Sequence, residues 1–101
     1  MQIMVWIFEI RDKSGRKIHL SDERWNHIVN EHPEIASYVE QLKDLVENPT
    51  KITTYSLDEN VKYYYKYFKE RKSSAKYLLV IVKYLNDHGS MITAYFVINI
   101  K

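Results

Sequence analysis

Two histidines, His27 and His32, stand five residues apart in "RWNHIVNEHPE", Arg24 to Glu34. Imidazole gives and takes protons near neutrality, with an ordinary pKa of ~6.5, so each is a candidate general acid or base. Further along, "VKYYYKYFKERK", Val61 to Lys72, alternates aromatic with basic residues. Flat rings suit unpaired bases and cations suit phosphates, which makes Lys62, Tyr64, Lys69, Arg71 and Lys72 candidate RNA-binding residues. Near the end, "MITAYFV" supplies the hydroxyls of Thr93 and Tyr95. Lys66, Thr93, Tyr95 and one imidazole around a single patch would suffice for RNA cleavage without a metal. The ribose 2′-hydroxyl attacks the adjacent phosphate, an imidazole or phenol moves the protons, and the cation neutralises charge growing on the phosphoryl oxygens. No cofactor is called for.

Each of these signals has a plainer reading. His27 shares the polar side of its helix with Arg24 and Glu31, where a solvated residue is the default, and His32 at a helix junction can serve as a cap beside the core. Tyrosines suit half-buried strands, and lysines solubilise a strand edge. A helical zinc pair needs histidines at i and i+4. Five residues apart, His27 and His32 diverge by about 140° around a helix of ~3.6 residues per turn, so no metal is expected. No glycine-rich phosphate loop is present, and "HGS" at Ser90 lacks the flanks of a hydrolase elbow.

Composition narrows the class. The 101 residues fit one domain, 1–101, with a single core. The absence of cysteine removes disulfides, thiolate metal sites and a cysteine nucleophile, and fits a reducing, cytoplasmic setting. "MQIMVWIFEIRDK" is short, carries Glu9 and lacks a cleavage site, so it reads as a strand; no membrane partner is expected. Charge is segregated. Ser21 to Asn48 holds seven acids against two bases, a net −5, and Lys62 to Lys83 holds seven bases against Glu70, a net +6. A basic patch on a near-neutral chain is the footprint of a polyanion partner, unless the two halves neutralise each other in the fold.

The elements that must position these residues follow from periodicity. Met1 to Ile10 reads as a strand, and Lys17 to Leu20 as a short extended piece after the "DKSGRK" turn. Ser21 can cap a helix whose first turn holds Asp22 and Glu23. Pro33 ends that helix at His32 and opens a second, which runs to about Glu47 with Ile35, Tyr38, Val39, Leu42, Leu45 and Val46 as its buried stripe. Ile52 to Tyr55, Val61 to Phe68, Tyr77 to Leu85 and Met91 to Ile100 alternate as strands. The class is α+β: two helices from the N-terminal half packed on one face of an antiparallel sheet of about four strands. If the "NDHGSM" turn is of even length, using two or four residues, Val82 lies opposite Thr93, Val80 opposite Tyr95 and Leu78 opposite Val97, while Leu79, Ile81, Ile92, Ala94 and Phe96 meet the helices. Pairing Phe68 with Lys76 then puts Lys62, Tyr64 and Lys66 on the open face with Thr93 and Tyr95. A one-residue slip exchanges them for Val61, Tyr63, Tyr65 and Tyr67.

The ordered set "HLSDERWNHIVNEHPEI", "NPTKI", "YYYKYF", "KYLLVIVKY" and "MITAYFV" resembles the barnase, EndoU, colicin and RelE-like (BECR) nuclease superfamily, in particular its phage-type branch, from about Ile18 to Ile100. The resemblance implies a RelE/barnase-like fold and a toxin or effector that cuts tRNA or mRNA without a metal. It implies site residues at His27 of "WNHI", His32 of "EHPE", Lys66 of the aromatic strand, and Thr93 and Tyr95 of "TAY". Lysine at position 66 keeps the charge of the more usual arginine but not its bidentate phosphate geometry. RNA is the expected partner, with a neutralising antitoxin or inhibitor protein and a homodimer left open. The rival readings are a noncatalytic RNA-binding module and a protein-interaction domain.

Overall fold

In a computed structural model, which describes residues 5–101, the chain runs β1 (Trp6–Arg11), β2 (Lys17–Ser21), α1 (Asp22–Glu31), a 3₁₀ turn (Pro33–Ser37), α2 (Val39–Glu47), β3 (Lys51–Thr54), β4 (Val61–Tyr67), β5 (Tyr77–Leu85) and β6 (His88–Val97). Met1 to Met4 of the expected first strand lie outside the described residues. Ser21 caps α1 as its spacing implies, its hydroxyl accepting from the Arg24 amide at 3.1 Å. The expected second helix is broken in two. Pro33 starts a 3₁₀ turn, and α2 begins only after Tyr38, whose φ of −111° and ψ of 18° are not helical.

The sheet has six strands, ordered β1-β2-β6-β5-β4-β3, not about four. The extra pair is the β1–β2 hairpin, which docks through a parallel β2–β6 ladder of three residue pairs, Lys17 with His88 to His19 with Ser90. The sheet is therefore mixed, and only its other pairings are antiparallel. Parallel neighbours need no shared turn, so nothing local in the sequence announces this pairing. The core lies between one face of the sheet and the helices: Ile28, Ile35, Leu42, Leu45 and Val46 pack on Phe8, Ile18, Leu20, Leu78, Val80, Val82 and Ala94.

Which residues of β4 and β5 face that core corrects the expected assignment. The turn between β5 and β6 holds two residues, Asn86 and Asp87, with Asn86 at φ +58°. Asparagine is one of the few residues that enters this region readily, as a tight hairpin turn requires. Beyond Val82↔Met91 the register shifts by one, so Ile81 pairs with Thr93, Val80 with Ala94 and Leu79 with Tyr95. Ile92 is the extra residue of a β-bulge, and it reverses the parity that an unbulged ladder would have. Leu78, Val80 and Val82 take the core side, and the β4 pairing, Lys66 with Leu78 and Tyr64 with Val80, carries Lys62, Tyr64 and Lys66 there with them. The open face instead carries Val61, Tyr63, Tyr65 and Tyr67 of β4, Tyr77, Leu79 and Ile81 of β5, and Thr93 and Tyr95 of β6, with Tyr65 and Leu79 themselves buried and the Lys101 amide donating to the Tyr65 hydroxyl at 3.4 Å.

Candidate active site

His32 is where α1 must stop. Its amide still bonds to the Ile28 carbonyl at 2.7 Å, but Pro33 forces its ψ to 74°, and the chain turns off along the 3₁₀ segment. Because α1 contacts both β2 and β6, this turn falls beside β6 past the end of the β2 ladder. The half-buried imidazole stacks there on the Tyr95 ring, centroids 4.9 Å apart and planes 20° from parallel, and its Nδ1 lies 3.9 Å from a Glu34 carboxylate oxygen. Thr93 shares the face of Tyr95 two residues earlier.

Phe96, next in β6, points to the helix side, where the Arg71 guanidinium lies 3.5 Å from its ring centroid. Arg71 is held by its own loop, Nε donating to the Ala75 carbonyl at 2.9 Å and Nη1 to the Tyr38 hydroxyl at 3.4 Å. Tyr38, Phe68, Glu70, Arg71, Lys72 and Ser73 line a cavity at this spot. On the open face Tyr67 and Tyr77 are cross-strand partners with ring centroids 5.1 Å apart, on the strands beyond Tyr95 and Val97. One end of the sheet thus carries an imidazole, a phenol, a hydroxyl and an aromatic platform, with a fixed guanidinium on its helix side: groups that move protons, neutralise a phosphate and stack bases.

The profile of the phage-Barnase-EndoU-ColicinE5/D-RelE like nuclease2 family matches residues 8–99. The chain belongs to that family. The matched span takes in both helices and five complete strands, with β1 from Phe8 onward. No curated protein and no solved structure matches the chain significantly. Membership makes it a nuclease at the level of the family, and the side chains must supply the rest.

Of the residues nominated for this nuclease, His32 stacks on Tyr95 and Thr93 shares the face of Tyr95, while Arg71 lies on the helix side of the same sheet end, against Phe96. Lys66 does not: on the helix side it donates to the Asn48 carbonyl at 2.7 Å and pairs with Asp44 at 3.4 Å, completing the C-terminus of α2. Lys66 and Thr93 lie on opposite sides of the sheet because of the bulge at Ile92, so the single patch expected to hold both does not form. His27 points away from the core, pairs with Glu31 at 3.0 Å, and borders an open groove with Ser21, Arg24, Asn26 and Asn30. Lys62 donates to the Thr54 hydroxyl at 2.9 Å, also on the helix side. Tyr64 is buried and cannot stack on a base, whereas Lys69 and Lys72 stand exposed on the β4–β5 loop.

Two clusters in the nuclease escaped the sequence reading. Asp12, 5% exposed, closes the β1–β2 turn. One carboxylate oxygen accepts from the amides of Ser14 and Arg16 and from the Ser14 hydroxyl, and the other accepts from Tyr84 at 2.5 Å and Tyr64 at 3.3 Å. Burial pushes this carboxyl upward, but the bonds from Ser14, Tyr84 and the Arg16 amide, with the Arg16 charge, outweigh it and hold it below the usual carboxylate range. Burial first, then bonding to Asp12, pushes the Tyr84 phenol up. The second cluster joins His19, His88 and Ser90 across the parallel ladder. Its only sequence signal is alternation in "KIHLS", which turns His19 away from Ile18 and Leu20.

Proposed function

We propose that the chain is a metal-independent endoribonuclease, a toxin or effector that cleaves tRNA or mRNA by attack of the 2′-hydroxyl on the adjacent phosphate. The contact of His32 with Tyr95, on a face that also carries Thr93, Tyr67 and Tyr77, is the observation that supports it most. Bases stack on the Tyr67–Tyr77 platform, and Arg71 and Lys72 draw the phosphates toward the end of β6. His32 removes the proton of the 2′-hydroxyl as that oxygen bonds to phosphorus. The phosphorus–5′-oxygen bond breaks, and Tyr95 returns a proton to the leaving oxygen. The products are a 2′,3′-cyclic phosphate and a 5′-hydroxyl, and the two side chains exchange protonation states over the cycle. Thr93 positions the ribose.

The test is incubation of purified protein with tRNA in excess chelator, beside His32→Ala, His27→Ala and Tyr95→Phe. Cyclic-phosphate ends are expected from the wild type and from His27→Ala, with a loss of about 10²-fold or more in His32→Ala. Intact RNA in every lane would remove the enzyme reading. A noncatalytic RNA-binding module, favoured by the exposed Lys69 and Lys72, would then show as retarded, uncut RNA.

A further inference from the structure

The other end of β6 carries a second imidazole centre that the proposed chemistry does not use. His19 of β2 and His88 of β6 are half-buried on adjoining parallel strands and share the open face with Ser90, the ladder partner of His19. Nδ1 of His19 and Nε2 of His88 point at each other in hydrogen-bond contact, with ring centroids 4.5 Å apart. The other nitrogen of His19, Nε2, lies 3.1 Å from the Ser90 hydroxyl, and the Trp6 ring covers the imidazole, centroids 4.0 Å apart. The contact spans the shortest ladder of the sheet, the three residue pairs through which the β1–β2 hairpin joins the other strands.

The facing nitrogens have room for one proton between them. A neutral imidazole carries a single N–H, so one ring donates it and the other supplies the lone pair; Ser90 serves either tautomer, because a hydroxyl both donates and accepts. A first added proton settles on a nitrogen outside the contact and leaves the N–H···N bond in place, now charge-assisted. A second has only the accepting lone pair left to occupy. Two N–H groups and two positive charges then meet head to head, and the contact cannot persist.

We infer that His19 and His88 are a pH-sensitive latch, which ties β2 to β6 near neutral pH and loosens that ladder in mild acid, when the second ring takes its proton. In the unfolded chain both rings titrate near ~6.5, so below that pH the folded pair holds one proton fewer. The excluded proton raises the unfolding equilibrium constant by up to about tenfold per pH unit. The stabilisation is therefore whole above about pH 6.5 and drains away as pH falls toward the lower folded value. Burial and then the neighbouring His88 lower the His19 pKa, against a smaller pull from Glu9, in keeping with that sign. Charges of both signs surround the pair on its face of the sheet. Glu9, opposite His19 on β1, and Asp87, next to His88 in the turn, favour protonation; Lys17, opposite His88, and Lys83 of β5, opposite Ser90, resist it. Lys83 is engaged by Asp58 at 3.4 Å, Arg11 across from Lys17 donates to the Gly15 carbonyl, and Leu85 opposite His88 is uncharged. The imidazole contact is thus what sets the response. Phe8, Ile18 and Leu20 hold the other side of the hairpin in the core, so the acid state is a weakened ladder and not a detached hairpin.

The experiment follows urea denaturation of the wild type, His19→Gln, His88→Gln and His27→Gln from about pH 7.5 to about pH 5, above the range in which the Asp12 carboxyl titrates. Between about pH 6.5 and about pH 5.5 the wild-type unfolding constant should rise by up to about tenfold more than that of His19→Gln or His88→Gln, with His27→Gln following the wild type. A wild-type slope matched by either the His19 or the His88 variant overturns the latch. Should one of these variants fail to fold, magnetic resonance of the histidine rings in the wild type decides it. His19 and His88 must titrate in coupled steps, one of them well below ~6.5, while amide exchange in β2, corrected for intrinsic rates, quickens in acid relative to β4. Two independent titrations near ~6.5 overturn the inference. None of these readouts uses nuclease activity.

Discussion

Tyr64 and Tyr67 lie three positions apart in one strand and answer to different physics. Tyr64 faces the core, its hydroxyl bonded to the Tyr84 hydroxyl and to the Asp12 carboxylate, and Tyr67 is 46% exposed on the open face. Tyr67→Ala is expected to weaken single-stranded RNA binding by about 1–3 kcal/mol per stacked base at unchanged melting temperature. Tyr64→Phe should leave binding alone and lower the melting temperature; a filter-binding and melting comparison of the two variants checks both. Asp12 is the other residue whose chemistry can be isolated. Asp12→Ala strands two buried phenols and the turn amides, at a cost of about 2–3 kcal/mol by chemical denaturation. Its carboxyl is held below the unfolded value of ~3.9, so its stabilisation is complete above that pH and drains away as pH falls through the lower folded pKa. Wild-type denaturation midpoints measured from about pH 6 downward should therefore drop more steeply than those of Asp12→Asn, which has no charge to lose there.

At the scale of elements, Gly89 of β6 sits closely packed against side chains of β2 and β5. A Cβ built there would approach Tyr84 at 2.8 Å, Val82 at 2.9 Å and Ile18 at 3.1 Å, all side chains held in the core. Gly89→Ala is expected to cost about 1–3 kcal/mol by overpacking, seen as a lower melting temperature, with faster amide exchange in the β1–β2 hairpin than in β4 and β5. Capping chemistry and hydrophobic period made α1, the break at Pro33 and the later strands legible, because each is set by residues within one turn of one another. The Phe68–Lys76 pairing was legible for the same reason, being fixed by the length of its loop. The parallel β2–β6 ladder was not, since its partners are 71 residues apart at each pair. The bulge at Ile92 was invisible too, because an apolar residue that drops out of the ladder looks in sequence like one that stays in it. That single residue moved Lys62, Tyr64 and Lys66 to the other side of the sheet, three of the five side chains expected together on the open face. His32 and Tyr95 come together because a helix stop and the face of one strand place them, independent of that parity.

Charge segregation is a property of the whole molecule, and the fold shows how far the two stretches pair directly. Among the described residues, Lys66 with Asp44 is the one ion pair joining the basic stretch 62–83 to the acidic helices, and Lys83 pairs with Asp58 in a loop. Direct pairing between the two stretches is confined to that contact among the described residues, and Lys69 and Lys72 stand exposed on the loop that holds Arg71. A surface of this kind binds a polyanion by releasing its counterions, so affinity must fall with salt along a slope of about −0.7 per phosphate contacted on a single strand. The joint substitution of Lys69→Gln with Lys72→Gln removes two such contacts. Its log–log slope against salt, measured with an uncleavable 2′-deoxy oligonucleotide, should be shallower by about 1.4, with the melting temperature unmoved because both side chains are exposed. The same change on the acidic side, Glu40→Gln with Glu47→Gln, should leave the slope as it is, and an equal effect there would mean that net charge, not the sheet-end patch, draws the nucleic acid in.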